Sequence, residues 1–193
     1  MRDSLRAVDL EGKVLGVVGL GRVSTAVSRK AMAAFGMRVL GDDPFLPPAE
    51  IRSRGAQPVD DLLSLLREAD VVTLHVPLTP QTRRLIGERE LAAMKPTSLF
   101  INTARGAVVD EAALARALHQ GRLGGAALDV FEQEPPDLGS PLFSAPNLVV
   151  TPHSAALTAE CAARMTVHAA QGILDVLAGR RPAAVVNPEV FST

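Results

Sequence analysis

The sequence predicts an α/β fold, a doubly wound parallel sheet with helices on both faces. Three observations predict it. Short apolar runs rich in β-branched residues recur along the chain, as buried parallel strands do. Amphipathic Ala- and Leu-rich segments alternate with them. The first run breaks into a glycine turn that leads straight into the first amphipathic segment. Of the 193 residues, 47% are hydrophobic, which supplies the core of a single domain.

Residues 1–13 are charged and short, and read as a lead-in. Val14-Leu15-Gly16-Val17-Val18 reads as the first strand, broken at Gly19 and Gly21. Val23, Val27, Ala31 and Ala34 follow at helical spacing and predict the apolar face of the first helix. Met37–Leu40 reads as a second strand, ended by Asp42-Asp43-Pro44. Prolines 47, 48 and 58, with Gly55, make 45–58 a loop with at most a short helix. Asp60 or Asp61 can cap a helix through Ala69, with Leu62, Leu65 and Leu66 inward. Val71–Val76 reads as a strand, Glu88–Met94 as a short helix, and Leu99–Asn102 as another strand. Asp110 starts a helix to Gln120, with Gly121 just past its end. Ala126–Val130 and Leu148–Thr151 are the last strands, separated by a loop opening at Glu134-Pro135-Pro136. A returning helix, Thr158–Ala178, and an extended tail close the pattern. The expected division is a lead-in at 1–13, a dinucleotide-binding domain at 14–155, and the helix and tail at 156–193.

Composition narrows the function. A formal net charge of −1 leaves no basic footprint for nucleic acid. Trp and Tyr are absent, so base-stacking platforms are missing too. The single cysteine, Cys161, excludes an internal disulfide and fits a reducing compartment. In its Ala-rich run it reads as a small buried hydrophobe rather than a nucleophile. No apolar stretch approaches a membrane span, and the charged N-terminus is not a signal peptide. These features predict a cytoplasmic protein that engages neither membrane nor nucleic acid. His75, His119 and His168 form no ligand-like cluster with Cys161, so no metal site is expected.

Right-handed crossovers place the C-terminal ends of all strands on one edge, where such sheets bind ligands. The chemistry-bearing residues collect there. Gly19 permits a tight turn, and Gly21 lets the backbone approach a pyrophosphate. The helix that follows offers free N–H groups and its positive dipole end. Ser24 stands where a third glycine normally allows close helix–strand packing, so the packing should open slightly. Its hydroxyl is free to cap a helix N–H or face a phosphate. Asp43 lies about 20 residues past the glycines, where an acid binds the adenine ribose. A carboxylate there repels a 2′-phosphate, which favours NAD over NADP. An ordinary βα turn and a solvated Asp-Asp-Pro turn are the plain alternatives.

Arg105 follows a strand end and precedes Gly106. A guanidinium grips a carboxylate with two hydrogen bonds; a surface salt bridge is its plain alternative. His153 follows Thr151-Pro152 at the end of the last strand, and an imidazole can pass a proton near neutral pH. Glu134 sits on the preceding strand's exit loop. A carboxylate beside an imidazole favours the imidazolium, and such a pair makes a proton donor for a carbonyl. Taken singly, they read as a loop glutamate and a strand-end histidine.

Together these residues resemble the D-isomer-specific 2-hydroxyacid dehydrogenase family, which includes D-3-phosphoglycerate dehydrogenases and glyoxylate/hydroxypyruvate reductases. The matching segments are Gly16 through Val23, His75-Val76-Pro77-Leu78-Thr79, Asn102-Thr103-Ala104-Arg105-Gly106, Ala127 through Phe131 with Glu134-Pro135, and Thr151-Pro152-His153. They occur in the family's order and cover nearly the whole chain. The resemblance implies a Rossmann-type domain that binds NAD and serves hydride transfer with a small 2-hydroxy or 2-oxo acid. It implies that Arg105 binds the substrate carboxylate and carbonyl, that His153 is the acid/base, and that Glu134 orients it. It places Arg22 and Val23 under the pyrophosphate and Asp43 on the adenine ribose. Val76, Thr103 and Ala104 line the cofactor, Asp129 holds the carboxamide, and Ser154 and Ala155 lie beside the ring. Formate-oxidising relatives carry glutamine where Glu134 stands, so that branch is disfavoured. Ala155 stands where a glycine usually follows the histidine. The family's substrate domain is expected to be missing here, since only the lead-in precedes the first strand. A homodimer through the cofactor domain is expected. Two functions remain open: an oxidoreductase, favoured by Arg105, Glu134 and His153 together, and a non-catalytic NAD-binding or dimerisation module, favoured by the missing substrate wall.

Overall fold

A computed structural model describes residues 8–191. The chain divides into two units, the first ending at His153 and the second beginning at Ser154.

The first unit is built on seven parallel strands: β1 Val14–Val18, β2 Arg38–Asp42, β3 Gln57–Pro58, β4 Val71–Leu74, β5 Leu99–Asn102, β6 Gly125–Leu128 and β7 Leu148–Val150. Their order across the sheet is β3-β2-β1-β4-β5-β6-β7. This is the doubly wound Rossmann arrangement, with its switch of direction between β1 and β4. The helices are α1 Arg22–Phe35, α2 Pro48–Ser53, α3 Leu62–Glu68, α4 Glu88–Ala93 and α5 Glu111–His119.

β1 shows how both faces are filled. Its residues alternate, so Val14 and Val18 meet one layer and Leu15 and Val17 the other. The first layer holds Leu65 and Leu66 of α3, Leu91 of α4, and Leu114 and Leu118 of α5. The second holds Ala31 of α1 and Ile51 of α2. Burying each leucine side chain contributes about 1.5–3 kcal/mol. Caps set the helix starts: Asp61 accepts from Ser64 N at 2.7 Å, and Asp110 from Ala113 N at 2.9 Å.

Several expectations are corrected. The buried face of α1 is Ser24, Ser28 and Ala31, whereas Val23 is 66% exposed and Ala34 is exposed. Small polar residues can face the sheet because their hydroxyls are satisfied inside the helix. Ser24 Oγ donates to Gly21 O at 3.0 Å, and Ser28 Oγ to Ser24 O at 2.9 Å. Ser24 therefore caps no N–H: its hydroxyl is spent on Gly21 O. The loop 45–58 contains a two-residue edge strand, β3, where Pro58 is tolerated because an edge needs fewer donors. β4 stops at Leu74, not Val76, because its neighbours end there: Leu74 pairs with Val18 and with Asn102. Asp42, expected outside β2, is its last residue and pairs with Val18.

The second unit carries α6, Ala159–Leu177, capped by Thr158, which accepts from Cys161 N at 3.1 Å. Arg180 donates to Asp175 Oδ1 at 2.7 Å and closes the helix end. Cys161 is half-buried rather than in a core.

Candidate functional site: a dinucleotide groove and a histidine–glutamate pair

The exit of β1 makes the first part of the site. Gly19 has φ +85°, which L side chains rarely adopt, and a Cβ there would lie 2.7 Å from Val76 Cγ1 and 3.0 Å from His75 O. The turn therefore packs directly on the exit of β4. α1 begins immediately after, with Gly21 as N-cap, no side-chain cap and no acid in its first turn. Its first N–H groups and its positive dipole end suit an anion. A Cβ on Gly21 would meet nothing within 4 Å, so this position opens to space rather than to packing.

That space is a groove of about 570 Å³, lined by Gly21, Arg22, Val23, Ser24, His75, Val76, Pro77, Thr103, Ala104 and Arg105. It straddles the β1/β4 switch point, where sheets of this kind bind dinucleotides. Asn102 shapes its far wall. Its buried amide donates to Arg105 O at 3.0 Å, and its oxygen accepts from Ala104 N at 3.0 Å. His75 Nε2 lies 3.1 Å from Thr73 Oγ1, and burial holds its pKa below the ordinary 6.5. The groove thus meets a neutral imidazole at pH 7. Asp43 Oδ2 accepts from Leu20 N at 2.9 Å and Oδ1 from Phe45 N at 3.0 Å, which ties the end of β2 to the glycine turn.

The second part lies where β6 and β7 end. Glu134 is pinned at both oxygens: Oε1 accepts from Phe131 N at 3.1 Å, and Oε2 lies 2.8 Å from His153 Nδ1. A carboxylate only accepts, so Nδ1 carries the hydrogen and Nε2 is left for other work. The hydrogen bond from His153, then that from Phe131 N–H, holds the Glu134 carboxyl below the ordinary carboxylate value. His153 has φ 53°, a conformation that costs a non-glycine residue of order 1 kcal/mol or more. The Glu134 bond and a turn from His153 N to Thr151 O at 3.1 Å hold it there. Beneath, Thr151 Oγ1 donates to the buried Asp129 Oδ1 at 2.5 Å, joining the two strand exits.

The structure gathers Gly21, Arg22, Val23, Val76, Thr103, Ala104 and Arg105 in one groove, and pairs Glu134 with His153. It does not bring Arg105 to that pair. Arg105 Nη1 donates to its own loop at Ala104 O, 2.6 Å away, and Glu134 and His153 line a separate apolar cavity of about 370 Å³. Ser154 and Ala155 open the second unit, in a turn closed by Leu157 N to Ser154 O at 2.9 Å.

Sequence reasoning missed Gly106 as a determinant. A Cβ there would lie 1.8 Å from Phe131 C and 2.1 Å from Phe131 O. The loop of Arg105 therefore touches the backbone of the loop that carries Glu134. An Arg-Gly pair at a strand exit was the available signal, but not what the glycine meets.

Glu134 gives a direct test of this geometry. An NMR titration of its side-chain carboxyl should give a midpoint below 4.5, the ordinary value. The bond from His153 favours the ionised form, so His153→Ala should return the midpoint upward. By linkage, the pair stabilises the fold above the ordinary carboxylate pKa and loses that contribution as pH falls through the lowered one. An unmoved midpoint in the variant would show that the contact does not persist in solution.

Comparison with known proteins places this arrangement. Residues 1–155 match the family described as D-isomer specific 2-hydroxyacid dehydrogenase, NAD binding domain. The chain belongs to that family and is an NAD-binding domain of it. A D-3-phosphoglycerate dehydrogenase from Methanocaldococcus jannaschii is 44% identical over 186 residues, covering 96% of this chain and 35% of the relative. A glyoxylate reductase from Aeropyrum pernix is 43% identical over 183 residues, covering 95% of this chain and 54% of the relative. Among solved structures, a D-lactate dehydrogenase with NAD+ from Lactobacillus jensenii superposes with a TM-score of 0.85 at 32% identity, covering 95% of this chain and 58% of that one. The chain thus spans about half the length of most of these relatives, and a third of the longest.

Proposed function

We propose that this chain is the cofactor half of a dehydrogenase that interconverts a small 2-oxo acid and its 2-hydroxy acid. The pair of His153 and Glu134, 2.8 Å apart on the same sheet edge as the dinucleotide groove, carries the reading. When bound, NAD supplies or accepts the hydride at its nicotinamide. The turn at Gly19 and the groove residues Gly21, Arg22 and Val23 would hold the pyrophosphate, Asp43 the ribose, and Val76, Thr103 and Ala104 the body of the cofactor. Asp129 holds the carboxamide. Glu134 keeps the His153 ring oriented with Nε2 toward the substrate oxygen, and His153 gives that oxygen a proton in reduction and takes it back in oxidation. Arg105 turns from Ala104 O to the substrate carboxylate and holds it with a two-point contact. Ser154 and Ala155 belong beside the nicotinamide by the same resemblance.

NADH oxidation, with glyoxylate, hydroxypyruvate and pyruvate offered in turn, tests the activity. Turnover of any of them supports it. Tight NADH binding with no turnover by a preparation completed with the remaining part of a relative makes the chain a binding module instead. Calorimetric titration tests the cofactor choice: NADH should bind at least tenfold more tightly than NADPH, because Asp43 faces the 2′ position. Equal affinities would remove Asp43 from the ribose.

We also propose a homodimer and a cytoplasmic location. The dimer rests on the resemblance. Light scattering at high micromolar concentration should return twice the chain mass, and a monomer mass would end that proposal. Among the described residues no helix is long and apolar enough to cross a membrane.

A further inference from the structure

The glycine turn is held by more than its glycines. Leu20, between Gly19 and Gly21, is fastened at three points. Its N–H donates to Asp43 Oδ2 at 2.9 Å. Its side chain is 1% exposed, packed where a Cβ on Gly41 would touch Leu20 Cδ1 at 2.8 Å. Its carbonyl accepts from Arg54 Nη1. Arg54 is the C-cap of α2, and its other terminal nitrogen pairs with Glu50 one turn earlier on that helix. The guanidinium is a rigid planar fork, so one arm held by Glu50 fixes where the other arm points.

The Leu20 carbonyl shares a peptide plane with the Gly21 N–H. In a trans peptide the two point in opposite directions. A carbonyl drawn toward α2 therefore sends the Gly21 N–H away from α2. Gly21 is the N-cap of α1 and lines the dinucleotide groove. On the next peptide, Gly21 O is also committed, accepting from Ser24 Oγ at 3.0 Å and Thr25 Oγ1 at 2.7 Å. The carbonyls of Leu20 and Gly21 are thus both tied back into protein.

We propose that Arg54 is a positioning residue of the dinucleotide site: by holding the Leu20 carbonyl it fixes the peptide whose N–H, at Gly21, is presented to the cofactor's pyrophosphate. The proposal rests on the reading of the groove as an NAD site. It assigns no contact between Arg54 and the cofactor. Without Arg54 the Leu20–Gly21 peptide is free to rotate, and ordering it becomes part of the cost of binding.

The test uses the intact chain, with NADH and ADP-ribose as ligands. ADP-ribose keeps the pyrophosphate and lacks the nicotinamide. Arg54→Ala should weaken both by the same factor, about tenfold, as expected for one lost charge-assisted hydrogen bond. The melting temperature without ligand should stay within a few degrees. Arg54→Lys keeps a charged donor but only one direction of approach, and should recover part of the loss. Amide hydrogen exchange without ligand should become faster at Leu20, whose N–H is bonded to Asp43, in Arg54→Ala, and only partly so in Arg54→Lys. Unchanged affinities, or a loss confined to NADH, would overturn the proposal. So would unchanged exchange at Leu20. If the wild-type chain binds neither ligand, the NAD reading fails by itself, and the exchange data still decide whether Arg54 orders the turn.

Discussion

Replacing His153 by alanine should lower kcat for 2-oxo acid reduction by about 10²–10⁴-fold, the usual contribution of a general acid. The dissociation constant for NADH should change by less than about threefold, because the groove proposed for the dinucleotide is lined by other residues. The measurement belongs on this chain joined to the part of the Aeropyrum pernix relative that it does not match, since the chain spans 54% of that protein. Glu134→Gln should give a smaller loss. The amide keeps an oxygen that can accept from Nδ1, so the ring stays oriented while the negative charge beside it is gone. Comparable losses of kcat and of NADH affinity in His153→Ala would mean that the ring serves the cofactor and not the proton.

Gly106→Ala should have the largest effect on stability of any single methyl added to the site. Its Cβ would lie 1.8 Å from a backbone carbon of Phe131 and 2.3 Å from Glu132 N. Backbone cannot swing aside as a side-chain tip can, so a loop must move. Overpacking of this kind costs about 3 kcal/mol or more. For a chain of this size that is a fall of roughly 6–12 °C in melting temperature. The displaced segment carries Phe131 N, one of the two donors that pin Glu134. The Glu134 carboxyl should therefore also titrate closer to its ordinary value. A variant that melts within a degree or two of wild type would show that the two loops are not in contact.

Much of this was legible in the sequence because it depends on local rules. Buried parallel strands announce themselves as β-branched runs, and β5 falls at Leu99–Asn102 as read. Asp61, Asp110 and Thr158 are helix caps by side-chain chemistry that acts over three residues. The pattern of Glu134 and His153 was readable as a resemblance, and the structure sets them 2.8 Å apart. What was illegible depends on distance in the chain or on a disguised side chain. Ser24 and Ser28 look polar in a list of residues, yet a hydroxyl bonded back into its own helix presents a small and nearly apolar face. β3 has two residues and one is proline, so no periodicity exists to detect. Arg54 meets Leu20 across 34 residues, and only the placement of α2 beside the turn makes the contact.

The strand order also divides the chain's labour in time. Strands β3, β2, β1 and β4 are neighbours, and all lie before residue 75. A ribosome therefore finishes the glycine turn, Asp43 and the exit of β4 before it makes any of Arg105, Glu134 and His153. The earlier half-sheet is contiguous in sequence as well as in space, and the later strands lie beyond it in chain order, β5 on β4, β6 on β5 and β7 on β6. The glycine turn and Asp43 are thus the older part of every newly made molecule, and Thr103, Ala104, Arg105, Glu134 and His153 follow on strands that extend the sheet outward from β4.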